Sequence, residues 1–139
     1  MEPGFHILEH PADVGIEATG VDLQDAFRQA ALGMVSVIVD PLTISPSVTK
    51  EIIIDGIDAE NLLVRWLSEI LFLYDGEDFL VGEIRFDEFA PTLLKALVKG
   101  EPVSQVKHLL RTDVKAVTYH QVHVSQNAEG ATVRVFLDI

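Results

Sequence analysis

Two acidic groups stand side by side at the C-terminal end of the sequence. From Val133 to Ile139 apolar residues recur at every second position, and Asp138 lies beside the α-carboxylate of Ile139. The alternation continues to the last residue, which predicts that this end is held in a sheet and is not frayed. Calcium and magnesium prefer oxygen ligands of this kind. The pair indicates a divalent-metal site, although two solvated surface acids would explain the same residues.

A further acid, Asp13, follows the proline in the segment Glu9-His10-Pro11-Ala12-Asp13. Proline has no N–H for a strand ladder, so the chain is expected to break here and restart as a new strand. An Asp at such a place commonly accepts hydrogen bonds from turn N–H groups. Metal ligation and this structural role both remain open for Asp13. Glu9 and His10 add further groups that would fit around a metal.

The remaining polar candidates lie near the start of the penultimate predicted strand. His120 and His123 are three residues apart, which predicts opposite faces of a strand and no shared ion. Zinc is not expected, because the chain has no cysteine and no visible three-ligand cluster. Lys115 would pair with an acid, hold an anion or face a partner. Neither a Gly-x-Ser-x-Gly elbow nor a phosphate loop is present.

The charge restricts the class of partner. Ten Lys and Arg against 22 Asp and Glu give a net charge of −12. Nucleic-acid binding depends on basic groups that release phosphate counterions, so no tight direct binding to nucleic acid is expected. An acidic surface suits metal ions, a basic protein face or solubility alone. The sequence shows no apolar run of about 20 residues and no secretory pattern, which predicts a cytoplasmic protein without a membrane span.

The hydrophobic periods predict an α+β fold with two helices packed on a mostly antiparallel sheet, in a single domain over residues 1–139. Asp22 and Asp58 stand where they would cap the two helices, and the second helix is expected to end near Gly76. The other segments with regular apolar patterns are predicted to be strands. The last two are joined by a turn at 127–130, which predicts an antiparallel hairpin. The oligomeric state is left open.

Four stretches of the sequence resemble the archease family. They are Glu9–Gly15, the helical segment Asn61–Glu69, Lys115–His120 and the end Leu137–Ile139, and they occur in the family's order along the whole chain. The resemblance implies a small α+β accessory protein, not an enzyme with its own turnover. Such a protein promotes tRNA splicing by the RtcB-type RNA ligase, a manganese- and GTP-dependent enzyme, by helping its guanylylation and its multiple turnover.

The resemblance also implies a metal site. The ion is calcium in the first place, with magnesium or manganese as alternatives, and its ligands are Asp13, Asp138 and a main-chain oxygen of Ile139. The family motif often has threonine where Pro11 stands, so no ligand is expected from that position. The groups expected around the metal or toward the partner are Glu9, His10, Lys115 and His120.

Two other functions fit the residues. An independent metal-dependent hydrolase would use Asp13 and Asp138, but the sequence offers it no evident base or nucleophile. A chaperone-like protein-binding module would need no metal. Turnover without a partner would indicate the first, and suppressed aggregation of unrelated proteins would indicate the second.

Overall fold

The structure, a computed structural model, describes residues 1–9 and 13–139, with the side chain of Glu9 outside the described part. Seven strands, two long helices and a short 3-10 helix at Pro41–Thr43 follow one another in these ranges. In chain order the long elements are β1 (Gly4–Glu9), β2 (Asp13–Gly20), α1 (Leu23–Ile38), β3 (Val48–Asp55), α2 (Ala59–Glu77), β4 (Phe79–Ala90), β5 (Leu93–Pro102), β6 (Ala116–Asn127) and β7 (Gly130–Asp138).

The strands form two sheets, and every pairing between them is antiparallel. The larger has the order β1-β2-β7-β6 and the smaller has the order β3-β5-β4. The predicted α+β class with two helices is confirmed, but the expectation of one sheet is wrong. Periodicity identifies a strand without identifying its partner, and β3, β4 and β5 pair only among themselves.

Both helices begin where their capping residues predict. The Asp22 carboxylate accepts a hydrogen bond from the Asp25 N–H at 2.8 Å, and that of Asp58 accepts one from the Asn61 N–H at 2.7 Å. The second helix continues just past Gly76, and Asp78 closes it in the left-handed conformation with φ of 52°. Asp tolerates this conformation better than most residues, so the helix can end without a glycine.

One core joins both helices to both sheets, and a fully buried Trp66 on α2 belongs to it. Its indole N–H donates to the carbonyl of Phe27 on α1 at 3.0 Å. Its ring lies 5.2 Å from the ring of Phe86 on β4, measured between centroids. One side chain therefore fixes the distance between the helices and positions the smaller sheet against them.

The 103–115 loop, which leads into β6, is fixed by the buried His108. Its Nδ1 accepts the Ser104 N–H at 2.8 Å, which leaves Nε2 to carry the proton toward Glu101, 2.9 Å away. The same Glu101 carboxylate also accepts the Ser45 N–H and the Lys107 ammonium. This network holds the first part of the loop against the smaller sheet, while the Arg111 and Thr112 N–H groups bind the second part to the end of α1.

The hydrogen bonds of Glu101 predict that the free energy of unfolding depends on pH. Hydrogen bonds, first from Lys107, then from the Ser45 N–H and His108, lower the pKa of Glu101 from 4.5 to about 2. A lowered pKa stabilises the fold above about pH 4.5, and the contribution is lost as pH falls toward 2. Glu101→Gln should therefore be less stable than the unaltered chain at about pH 6, with a gap that narrows toward about pH 3. Urea denaturation at a series of pH values measures it, and a constant gap would contradict the assignment.

No helix in the described ranges is both long and apolar enough to cross a membrane.

Candidate metal centre

The pairing of β2 with β7 brings the two predicted acids together. Asp13 and Asp138 are direct partners in this antiparallel register, 125 positions apart in the chain. Residues opposite each other in such a pair project to the same face, with Cβ atoms about 5 Å apart. The arrangement therefore places two carboxylates beside each other at one end of the larger sheet.

The end of β7 is held on both sides. The strand lies between β2 and β6, and Asp138 is in register with Ala116 as well as with Asp13. The Asp138 carbonyl accepts the Lys115 N–H at 2.8 Å, and the Ile139 side chain packs against the core. The predicted ordering of this end is confirmed, and Ile139 follows directly after a strand that is paired on both sides.

A buried aromatic ring lies next to the acids on the same face of the sheet. Phe136 precedes Asp138 by two positions and is only 3% exposed, although this face points away from the helices. It fits because its partner is Gly15, where a Cβ would come within 2.8 Å of the ring. Phe136 was not among the predicted site residues. The sequence did contain a sign of its role, because Phe136 is an apolar residue on the face of β7 that otherwise carries Arg134 and Asp138.

The histidine prediction needs a correction. His120 places its ring 5.7 Å from that of Phe136, and His123 is in register with Arg134, so both belong to the outer face. The pairing of β6 with β7 shifts register between Thr118 and His123, and Gln121 adopts a φ of 49°. This bulge removes the strict alternation from which opposite faces were predicted.

Among the residues that the structure describes, no basic side chain compensates the charge of the two acids. In the described ranges, neither Asp13 nor Asp138 forms an ion pair, and neither does the exposed Lys115, which precedes β6. Within the same ranges, no three side chains of His, Asp or Glu are arranged to hold a metal. A cation at this place would therefore depend on two carboxylates and on main-chain oxygens, which hard cations accept.

His10 and Pro11 lie outside the described residues, and so does the Glu9 side chain, although the Glu9 backbone pairs with Val14.

The chain matches the archease protein family (MTH1598/TM1083) over residues 5–139. It belongs to the archease family. The resemblance drawn from the four sequence stretches is thereby confirmed.

Archease relatives match along nearly the whole chain. Protein archease of Methanosarcina mazei is 37% identical over 140 residues, covering 97% of this chain and 95% of that protein. Protein archease of Sulfolobus acidocaldarius is 39% identical over 136 residues, covering 97% and 98%.

Two solved structures share the fold. The solution structure of Methanobacterium thermoautotrophicum protein 1598 has a TM-score of 0.80 and 31% identity, covering 98% of this chain and 99% of that one. The crystal structure of a Thermotoga maritima archease, described as a possible chaperone, has a TM-score of 0.66 at 18% identity, covering 95% and 94%. At this identity the second likeness concerns the archease fold alone.

Proposed function

We propose that this chain is a cytoplasmic accessory protein that activates an RtcB-type RNA ligase in tRNA splicing, without turnover of its own. It promotes GTP-dependent guanylylation of the ligase and lets each ligase molecule turn over repeatedly. The observation that carries the proposal is the register of Asp13 with Asp138. This register brings two distant parts of the chain together in a compact anionic site, formed by Asp13 and Asp138 and called the tip below.

The tip fits a divalent cation. Asp13, Asp138 and a main-chain oxygen of Ile139 supply hard oxygen donors, and neither carboxylate is neutralised by a described basic side chain. Calcium suits such ligands best, and magnesium or manganese are the alternatives. When bound, the ion supplies positive charge that phosphate oxygens can contact.

The surrounding residues orient the tip. Phe136, inserted over Gly15, forms a rigid apolar floor beside the acids. The backbone N–H of Lys115 is bonded to Asp138, so the start of its side chain is fixed while its ammonium extends into solvent. From there Lys115 can contact the phosphates of a nucleotide or an acidic group of the ligase. His120 borders the same floor.

The net charge of −12 supports separate roles for the two proteins, with the RNA bound by the ligase and not by this chain. An acidic chain gains nothing from phosphate counterion release and would repel an RNA backbone. The ligase therefore holds the RNA, and this chain acts on the ligase.

The test is a ligation assay in which the protein is present at substoichiometric amounts relative to a partner ligase. The proposal expects more product per ligase molecule and faster incorporation of labelled GTP into the ligase. Unchanged turnover and unchanged labelling would contradict it.

A chaperone-like module is a second candidate, favoured by exposed apolar side chains, among them the 86% exposed Ile57 and the 92% exposed Leu42. The Thermotoga maritima protein of the same fold is described as a possible chaperone. This function predicts suppressed aggregation of unrelated proteins, with an unchanged effect in the Asp138→Ala variant. The ligase function predicts that the same variant fails in the ligation assay.

A further inference from the structure

A groove of about 730 Å³ lies between strand β3 of the smaller sheet and strand β6 of the larger sheet. Strand β3 forms one wall, the start of β6 forms the other, and the outer face of α2 forms the floor. Both walls are edge strands, because among the described strands β3 pairs with β5 alone and β6 pairs with β7 alone. The groove is therefore bordered by backbone N–H and C=O groups that no described strand occupies.

The β3 wall is a regular strand edge. Its register against β5 runs without a shift from Val48 to Asp55, whereas the edge strands β4 and β6 both contain register shifts. Bulges of that kind protect an edge from further pairing, and an unshifted edge accepts another strand. In an antiparallel pair every second residue directs its N–H and C=O away from the neighbour. Strand β3 offers those groups to the groove.

Three apolar side chains, each more than half exposed, line the groove: Ile53 on β3, Phe72 on α2 and Tyr119 on β6. Two of them are held in place. The Phe72 ring lies on Gly76, where a Cβ would come within 2.7 Å of it. The Tyr119 hydroxyl accepts a hydrogen bond from the Asn61 amide at 2.7 Å. Exposed aromatic side chains with fixed positions are typical anchors of protein interfaces.

The charges of the lining favour a basic occupant. Glu51 and Glu69 line the groove together with one cation, Arg65. Arg65 is already engaged, since it donates to the Asp55 carboxylate at 2.9 Å. Glu69 forms no ion pair within the described ranges, and Glu51 has only a 3.7 Å contact to Lys95. A second copy of this acidic chain would be repelled.

The groove also lies close to the metal-centre candidate. Val117 lines it, and the preceding residue, Ala116, is in register with Asp138. The groove and the anionic tip therefore lie at the same end of β6, on opposite faces of the larger sheet.

We infer that the groove binds an extended segment of the partner ligase, which adds to β3 as a fourth strand of the smaller sheet. The segment carries apolar side chains that contact Ile53, Phe72 and Tyr119, with basic side chains toward Glu51 and Glu69. Main-chain hydrogen bonds supply affinity and the side-chain contacts supply selectivity. This inference rests on the proposed function, since it takes the ligase as the partner.

The test compares dissociation constants for the ligase between matched surface variants. Ile53→Lys and Phe72→Ala should weaken binding at least about tenfold, as expected for the loss of an interface anchor. The matched control is Val21→Lys, because Val21 is 64% exposed against 62% for Ile53 and lies outside the groove. This control should bind like the unaltered chain. At saturating concentrations, Ile53→Lys should still activate the ligase, because the tip is intact.

Hydrogen exchange distinguishes strand addition from side-chain contact alone. Binding of the ligase should slow amide exchange in β3 at residues 51–54 and leave unchanged the part of the other regular edge strand, β1, that lies away from the tip, residues 4–6. If the unaltered chain activates the ligase while the groove variants bind normally, or if β3 gains no protection, the groove inference is wrong and the proposed function stands. If the unaltered chain neither binds nor activates the ligase, both are wrong.

Discussion

Replacing Asp138 by Asn should reduce the turnovers of a partner ligase by at least about tenfold when the chain is substoichiometric. The variant keeps the shape of the side chain and the β7 register but removes one of the two carboxylates at the tip. Asp13→Asn should have the same effect, because both acids would contact one ion. The measurement is ligated RNA per ligase molecule, with each variant at equal concentration.

The matched control for these variants is Glu17→Gln. Glu17 lies on the same strand and face as Asp13, in register with Arg134 and away from the tip, and it carries the same charge. It should activate the ligase like the unaltered chain. An equal loss of ligase activation in all three variants would mean that overall charge, and not the tip, is responsible. Unchanged activation by both Asp variants would show that the tip has no part in the mechanism.

Trp66→Ala should lower the free energy of unfolding by about 3–5 kcal/mol, the usual cost of truncating a large buried aromatic residue. Trp66 is fully buried, contacts Phe86 and donates to the Phe27 carbonyl, so the variant leaves a cavity and removes the hydrogen bond that joins the two helices. Urea denaturation measures the change. It is followed by circular dichroism, because the variant loses the single tryptophan of the chain and with it the tryptophan fluorescence signal.

Trp66→Phe serves as the comparison for this substitution. It keeps an aromatic ring in the core and loses the indole N–H, so it should be destabilised less than Trp66→Ala. An Ala variant as stable as the unaltered chain would contradict the central position of Trp66 in the core.

The helices and most strands could be predicted because their signals are local. Asp22 and Asp58 precede apolar stripes at helical spacing, and the alternation of β7 runs over adjacent residues. The division of the strands into two sheets depends on pairings between distant segments, which no local pattern encodes. The register shift in β6 was missed for another reason, because a bulge at Gln121 leaves the composition of the strand unchanged.

Part of the candidate site could likewise be predicted from local sequence, and part could not. Asp138 and Ile139 were identified from alternation at one end of the sequence, whereas Asp13 joined them through the family resemblance. Spacing alone could not pair positions 13 and 138, but the strand register does. Phe136 and Gly15 were missed, because the fit of a ring over a glycine appears only once two strands are adjacent. The roles predicted for Glu9 and His10 remain predictions.

Calcium titration of the purified chain by calorimetry tests the central claim most directly. The account predicts one ion bound per chain, with binding lost in Asp13→Asn and Asp138→Asn and retained in Glu17→Gln. Circular dichroism should show all three variants folded. A folded chain that binds no divalent ion, or binds it equally well without either aspartate, would contradict the shared site.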